Sequence, residues 1–198
     1  MTLSCRTCRC AGRPRPALAQ VKGAQLARAA PPSRDGDAAT RFEALYRACY
    51  GDLLRYALRR SDRPEMAADV VADTFVVAWQ RIDDIPANQE RAWLYGVARN
   101  VLANQHRTAR RATRLASRLR DELAHVTVTQ PEVPADVAAA FRELPDADQE
   151  LLRLVAWEEL KADELALALD CSTNAVRIRL HRARRRFAEA LRASFLTT

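Results

Sequence analysis

Five glycines in 198 residues leave little of the turn chemistry that a chain of many short strands requires. Aromatic residues make up only 6%, while alanine, leucine and arginine, all good helix formers, are abundant. A β-sandwich or barrel is excluded, and one or two small helix-rich domains fit the length. No stretch approaches the ~20 consecutive apolar residues that span a bilayer. The basic N-terminus lacks an apolar core long enough for a secretory signal. A cytoplasmic chain without membrane insertion is expected. Histidine is scarce and scattered, at His106, His125 and His181, and no nucleophile–base pair or phosphate-cradling glycine loop is present. These absences speak against an enzyme and against a bound cofactor.

Cysteine is nearly as uninformative. Cys5, Cys8 and Cys10 form C-x-x-C-x-C, but no fourth Cys or His lies near enough to complete a zinc site. The surrounding "RTCRCAGRPRPALAQ" has no periodicity, so residues 1–37 read as a disordered basic tail without metal. Cys49 and Cys171 fall on apolar faces and read as packed thiols.

Charge is plentiful and unevenly placed. The net charge of +7 and pI near 9.6 favour an anionic partner. Residues 1–34 hold seven Lys or Arg and no acid, and 62–90 hold seven acids against two basic residues. Residues 99–120 hold seven arginines and no acid, and 143–170 hold nine acids against two basic residues. A protein that merely coats a polyanion has little use for the acidic blocks. This alternation suits two partners of opposite sign.

The apolar pattern is helical throughout. Phe42, Leu45, Tyr46, Cys49 and Leu53 share one face of a first helix. After a break at "SDRPE", where Ser61 or Asp62 can cap and Pro64 opens a first turn, Ala67, Val70, Val71, Phe75, Ala78 and Ile82 repeat the pattern. "RAWLYGVARNVLANQHRTARR" is a third helix, apolar at Leu94, Val97, Ala98, Val101 and Leu102. The pattern fades across 112–135 into "LAHVTVTQPEVPAD", a linker by composition. Further helices follow. The expected fold is all-α: two small helical domains, 38–111 and 136–198, joined by a flexible linker over 112–135.

Within the second domain, "KADELALALDCSTNAVRIRL" carries helix-turn-helix spacing. Leu165, Ala166 and Leu169 face Val176 and Leu180, and Asp170 stands where the turn usually has glycine. Asp tolerates left-handed backbone better than most residues. Ser172 or Thr173 can cap the second helix. From Thr173 to Arg192 that helix holds seven arginines and one acid, Glu189, around a stripe of Val176, Leu180, Ala183, Phe187 and Leu191. A charge run is usually a solvated face, but joined to this spacing it points to duplex DNA. Arg177 and His181 lie where base edges are read, and Arg184, Arg185 and Arg186 where phosphate is met. The second basic helix follows Trp93 and Tyr95, a mixture that suits single-stranded nucleic acid, although Trp93 reads equally well as core.

These segments together resemble the extracytoplasmic-function group of bacterial RNA polymerase sigma factors. "AADVVADTFVVAWQRI" is similar to their second-region helix, and "RAWLYGVARNVLANQHRTARR" to the helix that melts and reads the minus-10 element. "LPDADQELLRLVAWEELKADELALALDCSTNAVRIRLHRARRRF" resembles the fourth region, which reads the minus-35 element. The resemblance spans about 41–192 in the right order.

The resemblance implies a factor that binds core polymerase, recognises both promoter elements and promotes DNA melting. It assigns the polymerase largest-subunit coiled coil to Asp69, Asp73, Phe75, Val76 and Trp79. It assigns the minus-10 element to Trp93, Arg99, Asn100, Asn104, Arg107, Arg110 and Arg111, and the minus-35 element to Thr173, Asn174, Arg177, Ile178, His181, Arg182 and Arg184. An anti-sigma factor is a further implied partner. Ala72 and Asp73 replace the Gln-Glu pair common in the family, and Ile178 replaces a small polar residue. The rivals are a stand-alone helix-turn-helix regulator, which leaves 62–107 unexplained, and a helical adaptor with merely superficial arginines.

Overall fold

A computed structural model describes residues 36–61, 63–116 and 133–196, in backbone alone at 108–116 and 195–196. Seven α-helices are present among these residues: α1 (Gly36–Leu58), α2 (Pro64–Gln80), α3 (Glu90–Ala116), α4 (Ala135–Arg142), α5 (Asp146–Ala156), α6 (Ala162–Ala168) and α7 (Thr173–Leu196). The expected tail and most of the expected linker lie outside the described residues. Their inner edges do not: Gly36 and Asp37 open α1, and 112–116 continue α3.

The first three helices form one packed unit. Leu45, Cys49, Leu53, Tyr56 and Ala57 of α1 are buried against Ala67, Val70, Val71, Val77 and Ala78 of α2 and against Leu94, Val97, Ala98, Val101 and Leu102 of α3. Each buried Leu or Val side chain among them contributes roughly 1.5–3 kcal/mol. Pro64 begins α2 as expected, but the N-cap is Arg63, without a side-chain cap, and the Ser61 hydroxyl is buried with no partner. Asp62 lies outside the described residues. Tyr46, expected inside, is 41% exposed, because it lies on the flank of the α1 stripe, between Phe75 and Tyr50.

The last four helices form a second unit around Leu151, Leu154, Leu160, Leu165, Ala168, Val176 and Ala183, all buried. Gln149 joins α4 to α5 by donating to the carbonyls of Arg142 and Leu144 at 3.3 and 2.9 Å. Phe141 of α4 meets Phe187 of α7 edge-on, with centroids 6.0 Å apart. The helix-turn-helix forms where the spacing placed it. At its turn Asp170 has φ 51°, the left-handed conformation that usually calls for glycine. The Cys171 N–H donates to Ala166 O at 3.0 Å and the Asp170 N–H to Leu167 O at 3.2 Å. This paired arrangement is the Schellman ending of a helix. Ser172, rather than Thr173, caps α7, its Oγ accepting from the Ala175 N–H at 3.2 Å.

The two units do not stand apart. α6 lies on α3 as well as on α7, so the buried residues of both units form one continuous core. Charged groups line this joint. Arg60 is only 7% exposed at its side chain and donates to Glu150 at 2.9 Å and to Glu158 at 3.0 Å. Arg59 donates to the same Glu158 at 2.6 Å, and the Tyr56 hydroxyl donates to Glu150 at 3.1 Å. Glu158 is 2% exposed at its side chain. Arg91 closes the joint through Glu158 O at 3.0 Å, and Gln89 reaches Asp163 at 3.3 Å. Burial and then the Glu150 carboxylate push the Tyr56 hydroxyl well above its ordinary pKa.

The left-handed Asp170 yields a first prediction. Glycine adopts this conformation without the steric cost that a Cβ imposes, and part of that gain is offset by extra entropy in the unfolded chain. Asp170→Gly should raise stability by about 0.5–1 kcal/mol in urea unfolding, with DNA binding unchanged. A loss of stability would show that the Asp170 side chain supports the turn in a way its backbone does not reveal.

Candidate DNA and polymerase interfaces

The basic face of α7 is fixed by what its opposite face buries. Val176 and Ala183 are fully buried, and Leu180 and Phe187 are half-buried against α4, α5 and α6. The helical period then turns Asn174, Arg177, Ile178, His181, Arg182, Arg184 and Arg185 outward, and all seven are exposed. Ile178 is 46% exposed, an apolar contact point among cations. Thr173, at the first turn, is half-buried.

The arginines of this helix divide. Arg186 is exposed like its neighbours but has a partner across the unit: it donates to Asp148 of α5 at 2.5 Å, and that carboxylate is largely buried. The sequence placed Arg186 at a phosphate or in solvent; its side chain is 52% exposed and also braces α7 on α5. Arg185 is exposed and pairs with Glu189 one turn on, at 3.3 Å. Such an exposed pair contributes little to stability.

On α3, Arg107 is exposed, and Arg99, Asn100 and Asn104 are half-buried along one flank. The Arg99 Nε is buried without a hydrogen-bond partner. Arg110 and Arg111 fall on the backbone-only end of α3, so the positions of their side chains lie outside the description. Trp93 corrects the stacking expectation: it is 2% exposed, packed in the core with the Arg81 guanidinium 5.9 Å from its ring centroid. Tyr95 is buried too, its ring 4.9 Å from that of Tyr56.

On α2, Asp69 and Val76 are exposed, Asp73 and Trp79 are half-buried, and Phe75 is buried. Burial and then the neighbouring Asp69 push the Asp73 carboxyl above its ordinary pKa, and a hydrogen bond from Gln105 of α3 pulls it partly back. Phe75 is the hub of an aromatic cluster that bridges α1 and α2. Its ring centroid lies 4.7 Å from that of Tyr46 and 6.1 Å from that of Phe42, and Phe42 meets Trp79 edge-on at 5.2 Å. Tyr46 and Tyr50 leave this cluster partly open to solvent, and Asp69 and Val76 are exposed on α2. The exposed tyrosines were missed in the sequence. Their signal was a second period-four row, Phe42, Tyr46 and Tyr50, running alongside the buried Leu45, Cys49 and Leu53.

No group of three or more His, Cys, Asp or Glu among the described residues is arranged to hold a metal ion. Among the same residues no helix is long and apolar enough to cross a membrane.

Comparison with known proteins agrees with this layout. Residues 45–112 match the family Sigma-70 region 2, and residues 135–187 match Sigma-70, region 4. The chain is similar to the RNA polymerase sigma factor YlaC of Bacillus subtilis, with 31% identity over 151 residues, covering 72% of this chain and 87% of that one. Its fold resembles the solved structure of CnrH in complex with the cytosolic domain of CnrY, at TM-score 0.51 and 29% identity, over 79% of this chain and 95% of that one. It also resembles the sigma factor RpoE in complex with the anti-sigma factor NepR from Bartonella quintana, at TM-score 0.56 and 23% identity, over 80% and 98%. Both promoter-facing regions, in order and on the helices that carry them, are therefore present, and the chain belongs to the extracytoplasmic-function group of sigma-70 factors.

Proposed function

We propose that this sigma factor divides its work among three helices. α7 reads the minus-35 element in the major groove through Asn174, Arg177, Ile178, His181 and Arg182, with Thr173 and Arg184 at the edges of the contact. α3 meets the minus-10 element through Arg99, Asn100, Asn104 and Arg107, continuing to Arg110 and Arg111. α2 holds the coiled coil of the polymerase largest subunit through Asp69, Asp73, Val76 and Trp79, with Phe75 supporting the surface from beneath. The protein performs no chemistry itself and directs the polymerase that does, in the cytoplasm. An anti-sigma factor is the further partner, since the similar RpoE structure holds one.

The observation that carries this reading is the division of α7. Its apolar stripe holds the helix in place with help from Arg186, and Arg177, His181, Arg182, Arg184 and Arg185 are exposed outward. A helix held by one face with bare arginine on the other matches the requirement for a groove-entering helix. Phosphate contacts supply affinity that falls with salt, and base-edge contacts supply sequence choice. Run-off transcription with core polymerase on a promoter library tests the whole assignment, and failure to start at any promoter would remove it.

Within α7 the contacts should separate by position. Arg177→Ala should relax preference at particular minus-35 positions and cost about 1–3 kcal/mol for a bidentate base contact. Arg184→Ala should weaken all sequences evenly and lower the salt slope by about one unit. Binding to promoter variants at several salt concentrations distinguishes them. Even losses from both would make α7 an electrostatic anchor only.

On α2, Asp69→Lys should weaken binding to core polymerase while leaving the fold intact, because Asp69 is exposed. Unchanged affinity in a pull-down titration would remove α2 from that interface. Asp73 differs, since its folded pKa is raised. Ionised Asp73 therefore costs stability at neutral pH, and the cost vanishes as pH falls through the folded pKa. Asp73→Asn should raise the melting temperature at pH 7, with the gain shrinking as the solution is acidified. An equal gain at every pH would show that the carboxylate charge is not its source.

A further inference from the structure

We propose that Ile178 makes α7 a reader of pyrimidine methyl groups: it selects thymine in the minus-35 element by the C5-methyl alone, and reads 5-methylcytosine through the same methyl. The proposal rests on the assignment of α7 to that element.

Ile178 stands at the middle of the face that meets DNA in that assignment. Val176 is fully buried and marks the inward side of α7. Two residues further on, a helix of 3.6 residues per turn has rotated by about 200°, so Ile178 points almost directly away from the core. Asn174 lies one turn before it and Arg182 one turn after it, with Arg177 and His181 at its sides, and all four are exposed. All five residues fall in the N-terminal half of α7, the half that reaches base edges in a groove-entering helix. Helical side chains also lean toward the N-terminus, which carries Ile178 further that way.

Exposure alone decides nothing, since single apolar residues are common on protein surfaces. The setting is what matters. At 46% exposure Ile178 is the one large apolar side chain so exposed on α7 among the described residues, and its four neighbours on the face all carry hydrogen-bond donors. Isoleucine carries neither donor nor acceptor. Against a base edge it either desolvates a polar group, at a cost, or buries an apolar one, at a gain. In the major groove guanine presents N7 and O6, adenine N7 and N6, and cytosine N4, whereas thymine adds a methyl at C5. Only one of the four bases therefore rewards the contact. The β-branch holds Ile178 in one χ1 rotamer on a helix, so little side-chain freedom is lost when DNA arrives. Contacts of the flanking cations to phosphate fix the register, so the apolar contact falls at one base pair.

The same lack of polar groups widens the ligand class. Thymine and cytosine differ in the major groove at C4, O4 against N4, and at C5. A side chain without donor or acceptor reads the second difference and not the first. Methylation of cytosine at C5 puts the same group at the same place. A promoter with cytosine at the Ile178 position should therefore gain affinity when that cytosine is methylated, with no change in its sequence.

The test begins with the full chain joined to core polymerase, which selects its best binders from a duplex library randomised across the minus-35 region. Each thymine on either strand is then replaced by deoxyuridine, which removes the methyl and nothing else. At the position where this matters, the pair is changed to cytosine–guanine, with and without the 5-methyl group. Affinity should fall about fourfold from thymine to uracil and rise about fourfold from cytosine to 5-methylcytosine, the factor that burial of one methyl gives. Ile178→Ser should abolish both differences, and Ile178→Val, which keeps the β-branch, should retain them. The position is exposed, so both variants should keep the parent's circular dichroism and melting temperature. The modified-base comparison on the unmodified chain stands whether or not a variant folds. Absence of any uracil-sensitive position would overturn the proposal. So would a methyl effect that survives Ile178→Ser, since the methyl then acts on another residue or on the stiffness of the duplex. Failure to enrich any duplex beyond what core polymerase enriches alone would instead remove the assignment of α7 to DNA.

Discussion

The arrangement of this chain depends on how α6 is held. Seven residues make too short a helix to stand alone in water. Its start is tied by the Lys161 N–H, which donates to the Glu164 carboxylate at 2.8 Å, and its end by the left-handed Asp170. Its sides are held by α3 and α7, with Leu165 and Ala168 buried between them. The direction in which α7 leaves the turn follows from this seat, and so does the exposure of its arginines. The same seat makes the two units share one core. A single short helix thus sets both the outward basic surface of α7 and the relation of the halves.

The alternation of acidic and basic blocks resolves differently from its simplest interpretation. In sequence, each acidic block was available for a partner of positive charge. In the structure, the second block is largely consumed within the molecule. Glu150 and Glu158 take the arginines of α1, Asp148 takes Arg186, Glu164 caps α6, and Asp163 meets Gln89. The first block keeps Asp69 exposed on α2. Magnitudes explain why the distinction matters. Exposed pairs contribute about 0–1 kcal/mol, whereas removing one member of a buried pair costs about 3–5 kcal/mol. Acids of the same block can therefore differ several-fold in importance, and only burial distinguishes them.

Local periodicity made the helices and most of their inner faces legible. The stripe on α2 and the stripe on α7 were readable because a period of three and four survives whatever lies opposite. The left-handed Asp170 was readable as well, because few residues other than glycine fit such a turn. What escaped is what depends on distant partners. Ala92, Trp93 and Tyr95 of α3 are buried beyond the predicted stripe because the helix has more than one packed side, α6 covering part of it. Arg186 is as exposed as its neighbours, and what the local pattern could not show is its pairing with Asp148 of α5, 38 residues away. Tyr46 sat close enough to the α1 stripe to be counted in it, and it packs one side on Phe75 of α2 while remaining 41% exposed. The basic face of α7 was legible in full, whereas the use made of each arginine was not.

The surfaces left open in the packed state draw on different residues from the joint. Asp69, Val76, Tyr46 and Tyr50 are exposed on the side formed by α1 and α2, whereas the joint is made by the end of α1, the start of α3, α5 and α6. The exposed residues of α2 and the joint therefore have no residue in common, and the outward residues of α7 are likewise clear of it. The two sets of contacts are separable: burial makes the ions of the joint matter to how the two units sit together, whereas the outward residues of α2 and α7 carry none of that load.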